Sequence, residues 1–189
     1  MRDLKMHYII KGGSVKAVDG VTFNLGKGEA LGIVGESGCG KTSLAMAILR
    51  LLTENASFVS GNIFFSKDGD KTDLVRLREE EMRRYRWKEI SMIFQAAMNS
   101  LNPVYRVGDQ ISEALKTHFP GISKEEISER ILYLFRLVGL DPARMNRYPH
   151  EYSGGMKQLA IIAMALVCDP AVVIADEPTT ALDVIVQGR

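Results

Sequence analysis

Apolar and polar positions follow three rhythms along this chain: short alternating or continuous apolar runs at the start, helical spacing through the middle, and one apolar run near the end. Alternation and β-branched content predict strands at Leu4–Ile10 and Val21–Leu25, and the apolar run Ala30–Val34 predicts a buried strand that stops at a glycine. At Lys41–Leu52 the spacing changes to KTSLAMAILRLL, helix formers with one apolar face, which completes the order strand, Gly-rich turn, helix. A strand pair is expected around Asn62–Ser66 with Lys67–Lys71 as its polar turn, and Ile90–Phe94 reads as a buried strand. Two segments, Val107–Phe119 and Lys124–Val138, carry apolar positions three and four apart, with Ser123 placed to cap and Gly139 to stop the second. After Ser153 a helix should run to Val167, followed by the strand Ala171–Ala175, which ends in the acidic pair Asp176 and Glu177.

At 189 residues, 46% hydrophobic and 25% charged, the chain reads as one globular domain with room for a subdomain. Its 24 basic and 23 acidic side chains nearly cancel, so charge gives no pull toward nucleic acid or an anionic membrane. The densest charged stretch, RLREEEMRRYRWK at Arg76–Lys88, mixes both signs and reads as a solvated helix or loop laced with ion pairs. Two cysteines, Cys39 and Cys168, lie far apart in no metal-ligand spacing, which suits a reducing compartment. No apolar run approaches the length needed to span a bilayer, and the N-terminus lacks the apolar core and cleavage site of a secretory signal. Internal repeats and low-complexity tracts are not evident.

The chemistry concentrates in three places. GESGCGKT, Gly35–Thr42, fits the phosphate-loop pattern: Gly35, Gly38 and Gly40 allow tight turns, so that backbone N–H groups through Glu36, Ser37 and Cys39 can face phosphate oxygens. The helix N-terminus that follows favours an anion, Lys41 reaches β and γ phosphates, Thr42 offers a hydroxyl to Mg²⁺, and Ser43 is placed for a phosphate oxygen. Asp176 and Glu177 end an apolar strand, where one carboxylate can hold a metal through its water shell and the other can orient or deprotonate an attacking water. The third place is YSGGMKQ, Tyr152–Gln158, directly before a predicted helix; alone it would be a plain cap.

YSGGMKQ, lying upstream of the acidic strand, resembles the signature that separates ABC ATPases from other phosphate-loop enzymes. The resemblance implies that Ser153, Gly154 and Gly155 close over the γ phosphate of a nucleotide on a second subunit. It also makes Gln95, after the strand ISMIF, the Q-loop glutamine that senses metal and water. TTALD becomes the D-loop, carrying Asp183 to the dimer interface. Tyr8 is a candidate adenine-stacking aromatic, with a core or strand tyrosine an equal alternative. ATP and Mg²⁺ are the cofactors so implied, and the fold is an α/β phosphate-loop core with a mixed or parallel sheet, an N-terminal antiparallel part and an inserted helical subdomain. On this basis residues 1–95 form the first part of the core, 96–152 the helical subdomain, and 153–189 the signature helix, acidic strand and D-loop of a single nucleotide-binding domain.

Longer stretches, AVDGVTFNLGKGEALGIVGESGCGKT, MIFQAAMNSLNP and AMALVCDPAVVIADEPTTALDV, resemble the peptide and nickel importer ATPases over nearly the whole chain. Such subunits pair with a second ATPase, like or unlike, beneath two membrane permeases at the cytoplasmic face of the membrane. An extracytoplasmic binding protein delivers peptide, nickel or oligosaccharide, and no nucleic acid is involved. The segment after Gln95 and the helical subdomain would dock the permeases. The family's switch histidine lies beyond the D-loop, and His7, His118 and His150 do not match it, so the chain is expected to be an incomplete domain with an exposed apolar sheet edge. Ala96 and Ala97 stand where relatives usually carry Asp-Pro, and Leu159 where a basic residue is common. Cys39, beside Lys41 and a helix N-terminus, reads either as a small packing residue standing in for Ser or as a thiol whose oxidation or alkylation blocks ATP binding. The competing readings are a soluble ABC ATPase of DNA repair or translation, and a nucleotide switch without turnover.

Overall fold

The computed structural model describes residues 1–95 and 100–178, and the chain divides into two compact units at Arg83 and Arg84. In the first unit, β1 (Arg2–Ile10), β2 (Gly13–Val21) and β3 (Ala56–Asn62) form an antiparallel sheet in the order β2-β1-β3. Lys11 and Gly12 make the two-residue turn between β1 and β2, with Gly12 at φ 92. Leu4, Met6 and Val18 are buried on the core face, and register shifts follow Leu4 and Met6 along β1. A second hairpin, β4 (Phe64–Lys67) and β5 (Asp70–Asp73), turns through Asp68 and Gly69, both at positive φ as a type I′ turn requires. The expected strand pair is therefore present but shifted toward the C-terminus, because Asp-Gly sets the turn.

Helix α1 (Lys41–Ile48) is shorter than the apolar pattern suggested. It stops where Arg50 enters the left-handed region at φ 52, the Arg50 N–H bonding to the Ala47 carbonyl and the Leu51 N–H to the Met46 carbonyl, a Schellman closure. The Arg50 guanidinium secures this turn by donating to the carbonyls of Leu74 and Leu77. Two strand expectations fail here. Val21 ends β2 rather than starting a strand, and Ala30–Val34 takes no strand conformation; Leu31, Ile33 and Val34 are exposed, Val34 at 97%. Strand preference expresses fit to a paired, half-buried surface, and this run has no ladder partner among the described residues. The charged stretch contains the short helix α2 (Glu79–Met82), with ion pairs from Arg78 to Glu81 and Arg83 to Glu79 and only Met82 buried, as expected of a solvated helix.

In the second unit β6 (Ile90–Ile93), buried along its whole length, pairs in parallel with β7 (Val172–Ala175), placing Ile93 opposite Ala175. Helices α3 (Val107–His118), α4 (Lys124–Val138) and α5 (Gly154–Leu166) lie close to the expected ranges. Ser123 caps α4 by accepting from the Glu126 N–H while Glu126 returns the bond to the Ser123 N–H, and Gly139 ends it at φ 82. The core joins Ile111 and Leu115 of α3, Ile131, Leu134 and Phe135 of α4, and the alanine-rich face of α5. Arg130 of α4 donates to the carbonyls of Leu166 and Val167, satisfying acceptors that the end of α5 leaves open. Antiparallel N-terminal strands, a parallel pair and a helical block together make this a mixed α/β fold.

Candidate nucleotide-binding site

The Gly-rich loop turns through Gly38 at φ 81 and Gly40 at φ 101, and Gly40 is the residue directly before α1. A side chain at Gly40 is excluded twice, by its backbone and because a Cβ would stand 2.3 Å from the Ala17 carbonyl oxygen. With neither a side-chain cap nor an acidic residue in its first turn, α1 presents N–H groups and the positive end of its dipole. The Lys41 ammonium donates to the carbonyls of Gly35 at 2.8 Å and Glu36 at 2.9 Å, and lies 3.8 Å from Cys39 Sγ. The Cys39 N–H in turn bonds to the Glu36 carbonyl, so the lysine and the loop fold around each other. Ser37 is exposed on the loop and Thr42 is exposed in the first turn of α1. The Tyr8 hydroxyl bonds to Ser43 Oγ at 3.3 Å, which puts this half-buried strand tyrosine beside the first turn of α1.

In the second unit the parallel pair brings Gln95 and Glu177 together, since each lies two residues past its own strand. Gln95 Nε2 donates to Glu177 Oε2 at 2.6 Å. The Asp176 N–H bonds to the Ile93 carbonyl, extending the ladder by one step, and Asp176 itself is buried. Glu177 is exposed and holds φ 47, a conformation that a residue with a side chain adopts only under constraint. On α5, Ser153 caps the helix by accepting from the Met156 N–H at 3.3 Å, with Gly154 and Gly155 forming the first turn. Tyr152 is buried before the cap, its hydroxyl donating to the Arg144 carbonyl, and burial pushes its pKa up to about 12. Asp183, Ala96 and Ala97 lie outside the described residues.

The last residue of YSGGMKQ makes a contact that the motif by itself does not assign. Gln158, fully buried on α5, donates through Nε2 to the Pro178 carbonyl at 2.8 Å, directly after Glu177. The available signal was an amide in a helical stripe that continues through Ile161 and Ala165. Among the described residues no group of three or more His, Cys, Asp or Glu gathers for a metal. Each unit carries oxygen donors of the kind that Mg²⁺ takes, the Thr42 hydroxyl in the first and the Gln95 amide and Asp176 carboxylate in the second, and that ion commonly uses few protein ligands.

Residues 18–180 match the family described as ABC transporter. The chain is 49% identical over its full length to a probable peptide ABC transporter ATP-binding protein, y4tR, of Sinorhizobium fredii, covering 56% of that protein. It is 48% identical to the oligopeptide transport ATP-binding protein OppD of Bacillus subtilis, covering 52% of it, so the chain spans about half the length of these curated relatives. Its fold superposes on a dimeric post-hydrolysis structure of the ATP-binding cassette MJ0796 bound to ADP and Pi, with a TM-score of 0.84 and 28% identity over 99% of this chain and 77% of that one. The Gly-rich loop, the acidic strand end and the Ser-capped helix thus occur in a chain that belongs to the ABC transporter family.

Proposed function

We propose that this chain binds and hydrolyses Mg-ATP to energise an ABC importer, with peptides of two or more residues as the favoured cargo class and nickel or oligosaccharide as alternatives. The observation that carries the reading is the 2.6 Å bond between Gln95 and Glu177 beside buried Asp176, which groups an amide and two carboxylates at the ends of adjacent parallel strands. In this role the α1 N-terminus and loop residues Gly35 to Ser43 bind the phosphates, Lys41 exchanging its carbonyl partners for β and γ oxygens. Thr42 of the first unit, and Gln95 and Asp176 of the second, are the residues that would hold Mg²⁺, which would neutralise phosphate charge. Glu177 orients or deprotonates the attacking water, and Gln95 sets its carboxylate. Tyr8 lies against the nucleotide end of α1 through Ser43, and Ser153, Gly154, Gly155 and Asp183 serve the interface with a second ATPase subunit.

The same reading places the chain at the cytoplasmic face of the membrane, beneath two permeases supplied from outside by a binding protein. No described helix is long and apolar enough to cross a membrane. A cavity of about 710 Å³, lined among others by Trp87, Asn102, Tyr105, Gln110 and Glu113, supports permease docking because it joins the described stretch Ser100 to Tyr105 to α3. The direct test follows ATP binding and phosphate release together. Lys41→Ala should lose binding, whereas Glu177→Gln should bind and fail to turn over. Turnover unaffected by Glu177→Gln would overturn the assignment.

A further inference from the structure

Glu177 poses a conformational problem: it carries a side chain, sits at φ 47 and precedes a proline, which further narrows the backbone available to it. Three hydrogen bonds bracket this peptide. The Asp176 N–H fixes it to β6 on one side, Gln95 holds the Glu177 carboxylate, and Gln158 donates to the Pro178 carbonyl on the other side. Pro178 has no N–H with which to anchor itself, so its carbonyl is the backbone handle that remains. Gln158 reaches that handle from inside the core, and its Oε1 has no partner there. A methionine or leucine would fill the same space without a buried unsatisfied acceptor, so stability alone does not account for an amide at this position.

We infer that Gln158 is a positioning residue for the hydrolytic glutamate: through the Pro178 carbonyl it holds the backbone that aims the Glu177 carboxylate. It stands five residues after Ser153 on the same rigid helix, so the capped end of α5 and the peptide of Glu177 are mechanically tied within one unit. Removing the donor should let Glu177 relax from its constrained conformation and misdirect its carboxylate, while the phosphate loop is untouched. The inference rests on the ATPase reading above.

The experiment compares the full chain with Gln158→Met and Gln158→Glu, recording ATP affinity, kcat, KM and melting temperature. Gln158→Met should lower kcat about tenfold or more, with ATP affinity and KM within about twofold of wild type. Gln158→Glu supplies the discriminating readout, because only its protonated carboxyl can donate to the Pro178 carbonyl: its kcat relative to wild type should rise as pH falls, and Gln158→Met should show no such recovery. Wild-type kcat in both variants would overturn the inference, as would losses of binding, melting temperature and turnover in parallel with no pH-dependent recovery in the glutamate variant. A wild-type chain without turnover would instead overturn the ATPase reading, and this inference with it.

Discussion

Gly12 and Gly40 share a left-handed backbone, at φ 92 and φ 101, but their surroundings differ. A Cβ at Gly12 meets nothing within 4 Å, so Gly12→Ala should cost about 1 kcal/mol, the strain of the conformation alone. At Gly40 the same methyl would overlap the Ala17 carbonyl, so Gly40→Ala should cost roughly 3 kcal/mol or more and also weaken ATP binding. Denaturant melts of the two variants check the difference; equal losses would show that backbone strain, not the close approach, governs the loop. The cysteines offer a second contrast. Cys168 is buried and its pKa pushed up to about 11, chiefly by that burial, whereas Cys39 is exposed within the loop. Iodoacetamide at neutral pH should therefore label Cys39 alone in the folded chain and abolish ATP binding, with Cys168 labelled only after denaturation. Unchanged affinity after complete labelling of Cys39 would refute the block. The placement of Lys41 at a helix start and of Asp176 and Glu177 past a strand end was legible in the sequence, because motif and local geometry occupy the same few residues. Gln158 was visible as the end of YSGGMKQ, but its contact was not, since its partner Pro178 is twenty residues away.

Elements were legible where their signals are local. Ser123, Glu126 and Gly139 specify both ends of α4 within the helix itself, and the structure ends it there. β2 escaped because its residues, GSVKAVDGV, alternate poorly, and its strand state comes from pairing with β1 across the Lys11–Gly12 turn. Ala30–Val34 erred the other way: strong strand composition without a ladder partner among the described residues. The segment leading into α5 carries a prediction of its own, because the Tyr152 hydroxyl ties it to the 3-10 turn Pro142–Asn146 through the Arg144 carbonyl. Tyr152→Phe removes that bond and should cost about 1 kcal/mol at neutral pH. The folded pKa, near 12, lies above the ordinary value of 10.0, so the contribution is complete below pH 10 and is lost as pH rises through 12. Melting temperatures of wild type and Tyr152→Phe should accordingly converge and then cross as pH rises through that window; a constant gap would mean the phenol does not ionise with unfolding.

At the scale of the molecule, the two units carry different parts of the proposed chemistry, the phosphate loop before Arg83 and the Gln95–Glu177 pair after it. Fold class was readable because each unit announces itself by a different rhythm, antiparallel strands and the loop in one, helical spacing between two apolar strands in the other. Ligand linkage turns the proposed binding into a property of the whole chain: a ligand bound only by the folded state stabilises it by RT ln(1 + [L]/Kd), about 2.7 kcal/mol at a hundredfold excess over Kd. For a domain of this size that is a rise in melting temperature of roughly 5–10 °C. Mg-ATP should give this shift in wild type and in Glu177→Gln, where it should also persist because the nucleotide is not consumed. Lys41→Ala should abolish it, since the ammonium that replaces its own loop carbonyls with phosphate oxygens is gone. An undiminished shift in Lys41→Ala would mean that the stabilising ligand sits elsewhere on the chain, and the phosphate loop would lose its assigned role.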